Sequence, residues 1–332
     1  MSNAERIERD RNKVGEIRPS QLLFSYGVGA ILDLPALSVI VMGLDDWPET
    51  PENMHEIVED RLLRMVRGIV GYGLQKFLTP PTVMNTNNPF DRQNLIGVPV
   101  ATFPRWMVCP SCQLLASLDS GLFELKVDAY HPDRSHYVHK NCNKVKEPTV
   151  VPARFLVACE NGHLDDFPWI EFVHGNIGNC NGPLRLFEVA PSGEARDLIV
   201  KCERCDQSRQ LAEAFGQANR EKMPICRGRR PHLRDYEDSG CDRKMRPIVL
   251  GASSMWFPVV FSSIAIPASS DKIAQLIQQN WSVLRQANSK EIVAFMRNTG
   301  QLGELSGYTD AQIWEAIGRK RKEDSSEGEI VA

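Results

Sequence analysis

The sequence predicts an α+β fold in which an irregular, β-rich centre is flanked by helices. Three observations carry this expectation. An amphipathic pattern opens at Pro51, with Met54, Ile57, Val58, Leu62, Met65, Val66, Ile69 and Val70 at the three-and-four spacing of one helical face. All nine cysteines then fall between residues 109 and 241, among short runs of β-forming residues. Three further helical patterns follow, over 270–286, 289–298 and 309–320. Three regions result: 1–94, an apolar turn region with its amphipathic helix; 95–250, the cysteine-bearing β-rich domain; and 251–332, a strand, the helical region and a tail expected to be disordered.

Within this frame each element has a local reason. Residues 1–19 form a charged lead-in expected to fray. From Ser20 to Trp47, apolar runs separated by Gly27 and Gly29 read as strand and turn around Leu34-Pro35. Gly71 and Gly73 weaken the end of the first helix, and Pro80-Pro81 stop it. Residues 95–103, 122–127 and 149–158 read as strands. Residues 184–189 and 198–200 read as a hairpin, with Pro191-Ser192-Gly193 as its turn. A further strand is expected over 259–266, and Thr309 with Gln312 fits a capping box. Residues 323–332 are polar and expected to be disordered.

Composition narrows the class. Apolar residues make up 42% of the 332, enough for a sizeable core. A formal net charge of −3 gives no general pull towards nucleic acid. The N-terminus has no apolar h-region, so no secretory signal is expected. The most apolar stretch, 30–44, is interrupted by Asp33 and Pro35 and is too short to cross a bilayer. The expectation is a cytoplasmic chain with no membrane partner, whose cysteines stay reduced and unpaired.

The cysteine spacing points to metal. Cys109-Pro-Ser-Cys112 and Cys202-Glu-Arg-Cys205 each place two thiolates where both can face one tetrahedral ion. His139-Lys-Asn-Cys142 repeats that gap and supplies the first pair. Cys226 and Cys241, on loops rich in Gly and Pro, follow the second. Two zinc sites are therefore expected, Cys109/Cys112/His139/Cys142 and Cys202/Cys205/Cys226/Cys241, and the centre reads as zinc-ribbon-like. Cys159, His163, His174 and Cys180 remain as a third set; alternatively, Cys159 or His163 replaces His139 in the first site.

Catalytic signatures are missing. His163-Leu-Asp165 lacks the Glu of a zinc deaminase, and His55-Glu56-Ile-Val-Glu59 has Glu where a zincin needs its second His. No Gly-Lys pair occurs, which excludes a P-loop in this chain. Asp165 and Asp166 are expected to cap a short helix at Phe167-Pro-Trp-Ile. Closed four-ligand sets and no motor argue against an enzyme. The best basic surface is Arg227, Arg229, Arg230 and Arg234, where guanidinium groups on a metal-stapled loop could grip phosphates.

Three passages resemble a known family. They are Ile17-Arg-Pro-Ser-Gln-Leu-Leu-Phe-Ser-Tyr-Gly-Val-Gly-Ala-Ile-Leu-Asp-Leu-Pro35 with Met42-Gly-Leu-Asp-Asp-Trp47, Val151-Pro-Ala-Arg-Phe155 through Cys159-Glu-Asn-Gly-His163-Leu-Asp-Asp-Phe-Pro-Trp169, and Gly251-Ala-Ser-Ser-Met-Trp-Phe-Pro258. Together, over about 14–265, they resemble the DrmB family of accessory proteins in the bacterial DISARM anti-phage system. The resemblance implies antiviral defence, a superfamily 2 helicase partner of the DrmA kind, DNA engaged through that complex, and a DNA methyltransferase beside it. It also implies a longer protein, with Asn where Ser254 stands here. Two rivals remain: a stand-alone zinc-ribbon nucleic-acid-binding protein, and a metalloenzyme using His163, Asp165 and Asp166.

Overall fold

A computed structural model describes residues 12–47, 54–81, 96–175, 180–190, 193–216, 218–219, 223–252, 255–257, 259–263 and 272–326. It has helices and several small antiparallel sheets, an α+β fold, and divides into two compact units. The first comprises Met1–Val58 with Val70–Phe261, and the second Glu59–Ile69 with Ser262–Ala332. Strands and helices are numbered below in chain order.

The first unit begins with helix α1 (Pro19–Phe24), where proline opens the first turn and Gln21 Oε1 accepts from the Arg18 amide at 3.1 Å. This helix lies inside a stretch expected to be strand and turn. Strands β1 (Ile31–Asp33) and β2 (Ser38–Val41) form a hairpin where strand and turn are expected around Leu34-Pro35, closed by Leu34 N donating to Leu37 O at 2.7 Å. Strand β2 is buried along its length because it is the central strand, paired on its other edge with β5 (Val100–Thr102). The boundary expected at residue 94 therefore falls inside one unit.

The helix expected from Pro51 is shorter than its apolar pattern. Residues 51–53 lie outside the described residues, and β3 (Glu56–Ile57) pairs with β4 (Phe77–Leu78). His55 and Thr79 extend that pairing through two hydrogen bonds of 2.8 and 2.9 Å. The β-branched Ile57 and Val58 suit an extended backbone as well as a helical face. Helix α2 runs only over Asp60–Val70, ending at Gly71 with φ +94°.

The cysteine-bearing centre is built on a six-stranded antiparallel sheet of order β10 (Val151–Pro152), β6 (Trp106–Val108), β7 (Leu114–Ser117), β13 (Leu184–Glu188), β14 (Leu198–Cys202) and β15 (Ser208–Gln210). A second sheet orders β12 (Leu164–Asp166), β11 (Phe155–Ala158) and β18 (Arg246–Val249). Two hairpins complete it: β8 (Phe123–Lys126) with β9 (His136–His139), and β16 (Arg229–Arg230) with β17 (Asp235–Tyr236). Leu115, Phe155, Phe167, Trp169, Leu184, Val200 and Leu211 form the main core, Trp169 reaching it from helix α3 (Trp169–His174). The Phe167 and Trp169 rings lie 4.6 Å apart, and each fully buried side chain of this size contributes about 1.5–3 kcal/mol. Residues 191–192 of the expected hairpin turn lie outside the described residues. Residues 259–263, expected as strand, are not in one, and 264–266 are not described.

The second unit contains α4 (Lys272–Gln279), α5 (Trp281–Leu284), α6 (Lys290–Asn298) and α7 (Asp310–Ser326), matching the three helical patterns. Their inner faces bury Ile273, Ile277, Leu284, Val293, Ile313 and Ile317 in one cluster. The capping box forms, Thr309 Oγ1 accepting from Gln312 N at 3.3 Å and Gln312 Oε1 from Thr309 N at 2.9 Å. Helix α7 continues to Ser326, so part of the tail expected to be disordered is helical; residues 327–332 are not described.

Candidate metal centres

Nine cysteines and three histidines converge into three sets of four, each made of three cysteines and one histidine. In every set the ligand atoms lie within 4.8 Å of one another. Local backbone explains each. In the first set, Cys109 follows β6 and Cys112 precedes β7. The turn between them is tightened by Gln113 N donating to Cys109 O at 2.6 Å, with Gln113 at φ +63°. Hairpin β8–β9 delivers His139 at its end and Cys142 in the following turn, so this set is the one the spacing anticipated.

The second expected set is not what the fold assembles. Cys202 and Cys205 close instead with His174 and Cys180, and Cys226 and Cys241 close with Cys159 and His163. Strand pairing dictates the exchange. Hairpin β13–β14 opposes Leu184 to Cys202, returning the knuckle to Cys180 upstream. Strand β18 pairs with β11, setting Arg246 opposite Ala158 and bringing the segment after Cys226 back to Cys159. The four residues held together as a possible third set are thus divided two and two. His139 keeps its place in the first.

The distances fit a tetrahedral ion. With metal–sulfur bonds of about 2.3 Å and metal–nitrogen bonds of about 2.0–2.1 Å, sulfurs lie about 3.8 Å apart and about 3.6 Å from the nitrogen. The sulfur pairs Cys109–Cys142, Cys159–Cys241 and Cys180–Cys202 measure 4.0, 4.0 and 3.7 Å. Cys112 Sγ lies 3.5 Å from His139 Nδ1, and Cys159 Sγ 3.3 Å from His163 Nδ1. In the remaining set, His174 Nδ1 is committed to Ile170 O at 2.8 Å. Its buried Nε2 has no hydrogen-bond partner among the described residues, as a nitrogen facing a metal would.

Electrostatics differ among the sets. Burial pushes the Cys109 thiol up to about 11 and the Cys226 thiol up to about 12. Burial would also raise Cys202, but the amides of Cys205 and Arg204, with His174, outweigh it and hold that thiol at about 6. Amides reach other sulfurs: Gly228 N donates to Cys226 at 3.2 Å and Asn161 Nδ2 to Cys241 at 3.5 Å. Glu237, which sequence reasoning missed, reaches His163. Its only sequence signal is its place between two ligands.

The basic loop is neutralised within the chain. Arg227 Nη2 donates to Asp165 Oδ2 at 2.6 Å; Arg229 pairs with Asp165 and, at 3.0 Å, with Asp166; Arg230 pairs with Asp235 at 2.8 Å, and Arg234 with Asp46. Asp165 and Asp166 therefore do not cap α3, whose preceding Pro168 provides no side-chain cap. They lie in β12, where Asp166 also accepts from Arg105 N at 2.7 Å, and burial raises its carboxyl against the opposing pull of Arg229.

Among the described residues no helix is long and apolar enough to cross a membrane. The DISARM protein DrmB of Bacillus paralicheniformis is 32% identical to this chain over 178 residues. The match covers 53% of this chain and 30% of that protein, so about half the chain is DrmB-like and most of the relative lies beyond the match. Residues 18–257, which include all three ligand sets, match the model of a domain of unknown function, and on that match the chain belongs to the DUF8724 family.

Proposed function

We propose that the chain is a non-catalytic, zinc-stabilised subunit of a DISARM-like anti-phage complex, working in the cytoplasm beside a superfamily 2 helicase of the DrmA kind and helping that complex engage DNA. The observation that carries the structural role is the closure of each ligand set: four protein donors leave a tetrahedral ion no open position. Three thiolates and an imidazole suit zinc, which binds without redox chemistry. When bound, zinc would supply cross-links worth about 10 kcal/mol or more per site to folding. The defence role and the helicase partner rest on the likeness to DrmB.

The groups a metalloenzyme would need are otherwise engaged. His163 belongs to a ligand set, and Asp165 and Asp166 hold arginines. The paired state of Arg227, Arg229, Arg230 and Arg234 also weighs against a stand-alone nucleic-acid binder, since phosphate must displace a carboxylate from each. DNA affinity then arises in the assembled complex.

Affinity capture with a superfamily 2 helicase, followed by DNA titration over a salt series, tests this reading. The complex should bind DNA with little sequence preference and an affinity that falls with salt. Substituting the four arginines by alanine should flatten the salt slope by about one unit for every phosphate no longer gripped. DNA binding by the chain alone as tight as by the complex, or no association with the helicase, would count against it.

A further inference from the structure

The second ligand set has a carboxylate directly behind its histidine. Glu237 Oε2 lies 2.9 Å from His163 Nε2, while Nδ1 of the same ring faces Cys159 Sγ at 3.3 Å. A histidine binds a metal as the neutral ring through one nitrogen, so the other carries the proton. A carboxylate that accepts this proton fixes both tautomer and ring orientation. The His163 side chain is 6% exposed and that of Glu237 38%, so the ring is enclosed and the carboxylate reaches it from the surface.

Glu237 is itself held by the loop that supplies two of the ligands. Its amide donates to Gly228 O at 2.8 Å, and Gly228 at φ +72° lies so close that a Cβ there would meet Glu237 Cβ at 3.1 Å. Gly228 N in turn donates to Cys226 Sγ. A short path thus runs from one ligand, Cys226, through Gly228 and Glu237 to another, His163. It crosses the base of the β16–β17 hairpin that carries Arg229 and Arg230. In the third set a backbone carbonyl, Ile170 O, does the corresponding task for His174.

We propose that Glu237 is the positioning residue of the second metal centre: it fixes His163 with Nδ1 towards the metal and couples metal retention there to closure of the 226–241 loop. This rests on the zinc reading above. The test uses the full zinc-loaded chain, its Glu237→Ala and Glu237→Gln variants, and competition with a chromophoric zinc chelator. Alanine should weaken one of three zincs by roughly 10–100-fold and leave the other two unchanged. Glutamine, which keeps an acceptor oxygen, should recover most of that affinity. Nitrogen-15 NMR of the zinc-loaded wild type should show the His163 proton on Nε2. A wild type with three zincs and an alanine variant indistinguishable from it would remove Glu237 from this role while leaving the zinc reading intact. Equal losses in alanine and glutamine variants, or a proton on Nδ1, would also overturn the proposal. A wild type without zinc would overturn both readings.

Discussion

Deleting one sulfur from each of two centres separates the length of a metal cross-link from its presence. The second centre ties Cys159 to Cys241, 82 positions apart, and the third ties His174 to Cys205, 31 apart. A metal held at both ends restricts the unfolded chain as a covalent link does, by an entropy that grows with the logarithm of the loop. On that scale the longer tie contributes about 4.5 kcal/mol at 25 °C and the shorter about 3.7 kcal/mol. Cys241 and Cys180 are both half-buried, so replacing either by alanine leaves similar local damage. Cys241→Ala and Cys180→Ala should each hold two zincs. The first should melt lower by about 1 kcal/mol, or roughly 2–4 °C for a unit of this size. Scanning calorimetry on samples of measured metal content decides it. Equal melting temperatures, or a lower one for Cys180→Ala, would refute the tie-length argument; loss of two metals from either substitution would refute the grouping.

Further outcomes follow from individual side chains. Asp165→Asn leaves Arg227 and Arg229 facing an amide. Arg229 keeps Asp166 and Arg227 is 63% exposed, so the cost should be about 2 kcal/mol rather than the ~3–5 of a stripped buried pair, read from the urea midpoint. Gly182→Ala would put a Cβ 2.7 Å from Cys202 Sγ and 2.5 Å from Arg204 Cβ. It should cost about 1–3 kcal/mol and one zinc, with the other two retained on metal analysis. Acid should empty the second centre first. The first set balances a raised Cys109 against a lowered Cys142, and the third a raised Cys205 against Cys202 at about 6, whereas the second has Cys226 pushed up to about 12 by burial. A raised thiol takes back its proton at higher pH, so lowering the pH from 8 should release metal from the second centre before the other two, followed by cadmium-113 NMR of the cadmium-substituted protein.

The legible parts of this sequence were those whose signal is local. Both knuckles are two-residue turns, and His139-Lys-Asn-Cys142 repeats that gap after an expected strand at 122–127, so the first set could be assembled from spacing even though β9 was not expected. The helices of the second unit were visible in their three-and-four periodicity, which tertiary packing reinforces. The other two sets were not legible, because the ligands for Cys202 and Cys226 are chosen by the β13–β14 and β11–β18 registers. Nothing within a few residues of Cys226 records that choice, and for Cys202 the hairpin expected at 184–189 and 198–200 carries the chain back towards Cys180 without naming it as a ligand. The same limit explains residues 54–58: their apolar spacing suits a helix, and only the partner at Phe77–Leu78 makes them extended. Likewise the arginine loop reads as a basic surface until Asp165, Asp166 and Asp46 arrive from distant segments.

Zinc K-edge X-ray absorption, on protein purified without added metal and analysed for zinc per chain, tests the account at its centre. Three sets of three cysteines and one histidine predict three zincs per chain, each with three sulfurs at about 2.3 Å and one nitrogen at about 2.0–2.1 Å. Two zincs per chain, with half of them bound by four sulfurs, would contradict it.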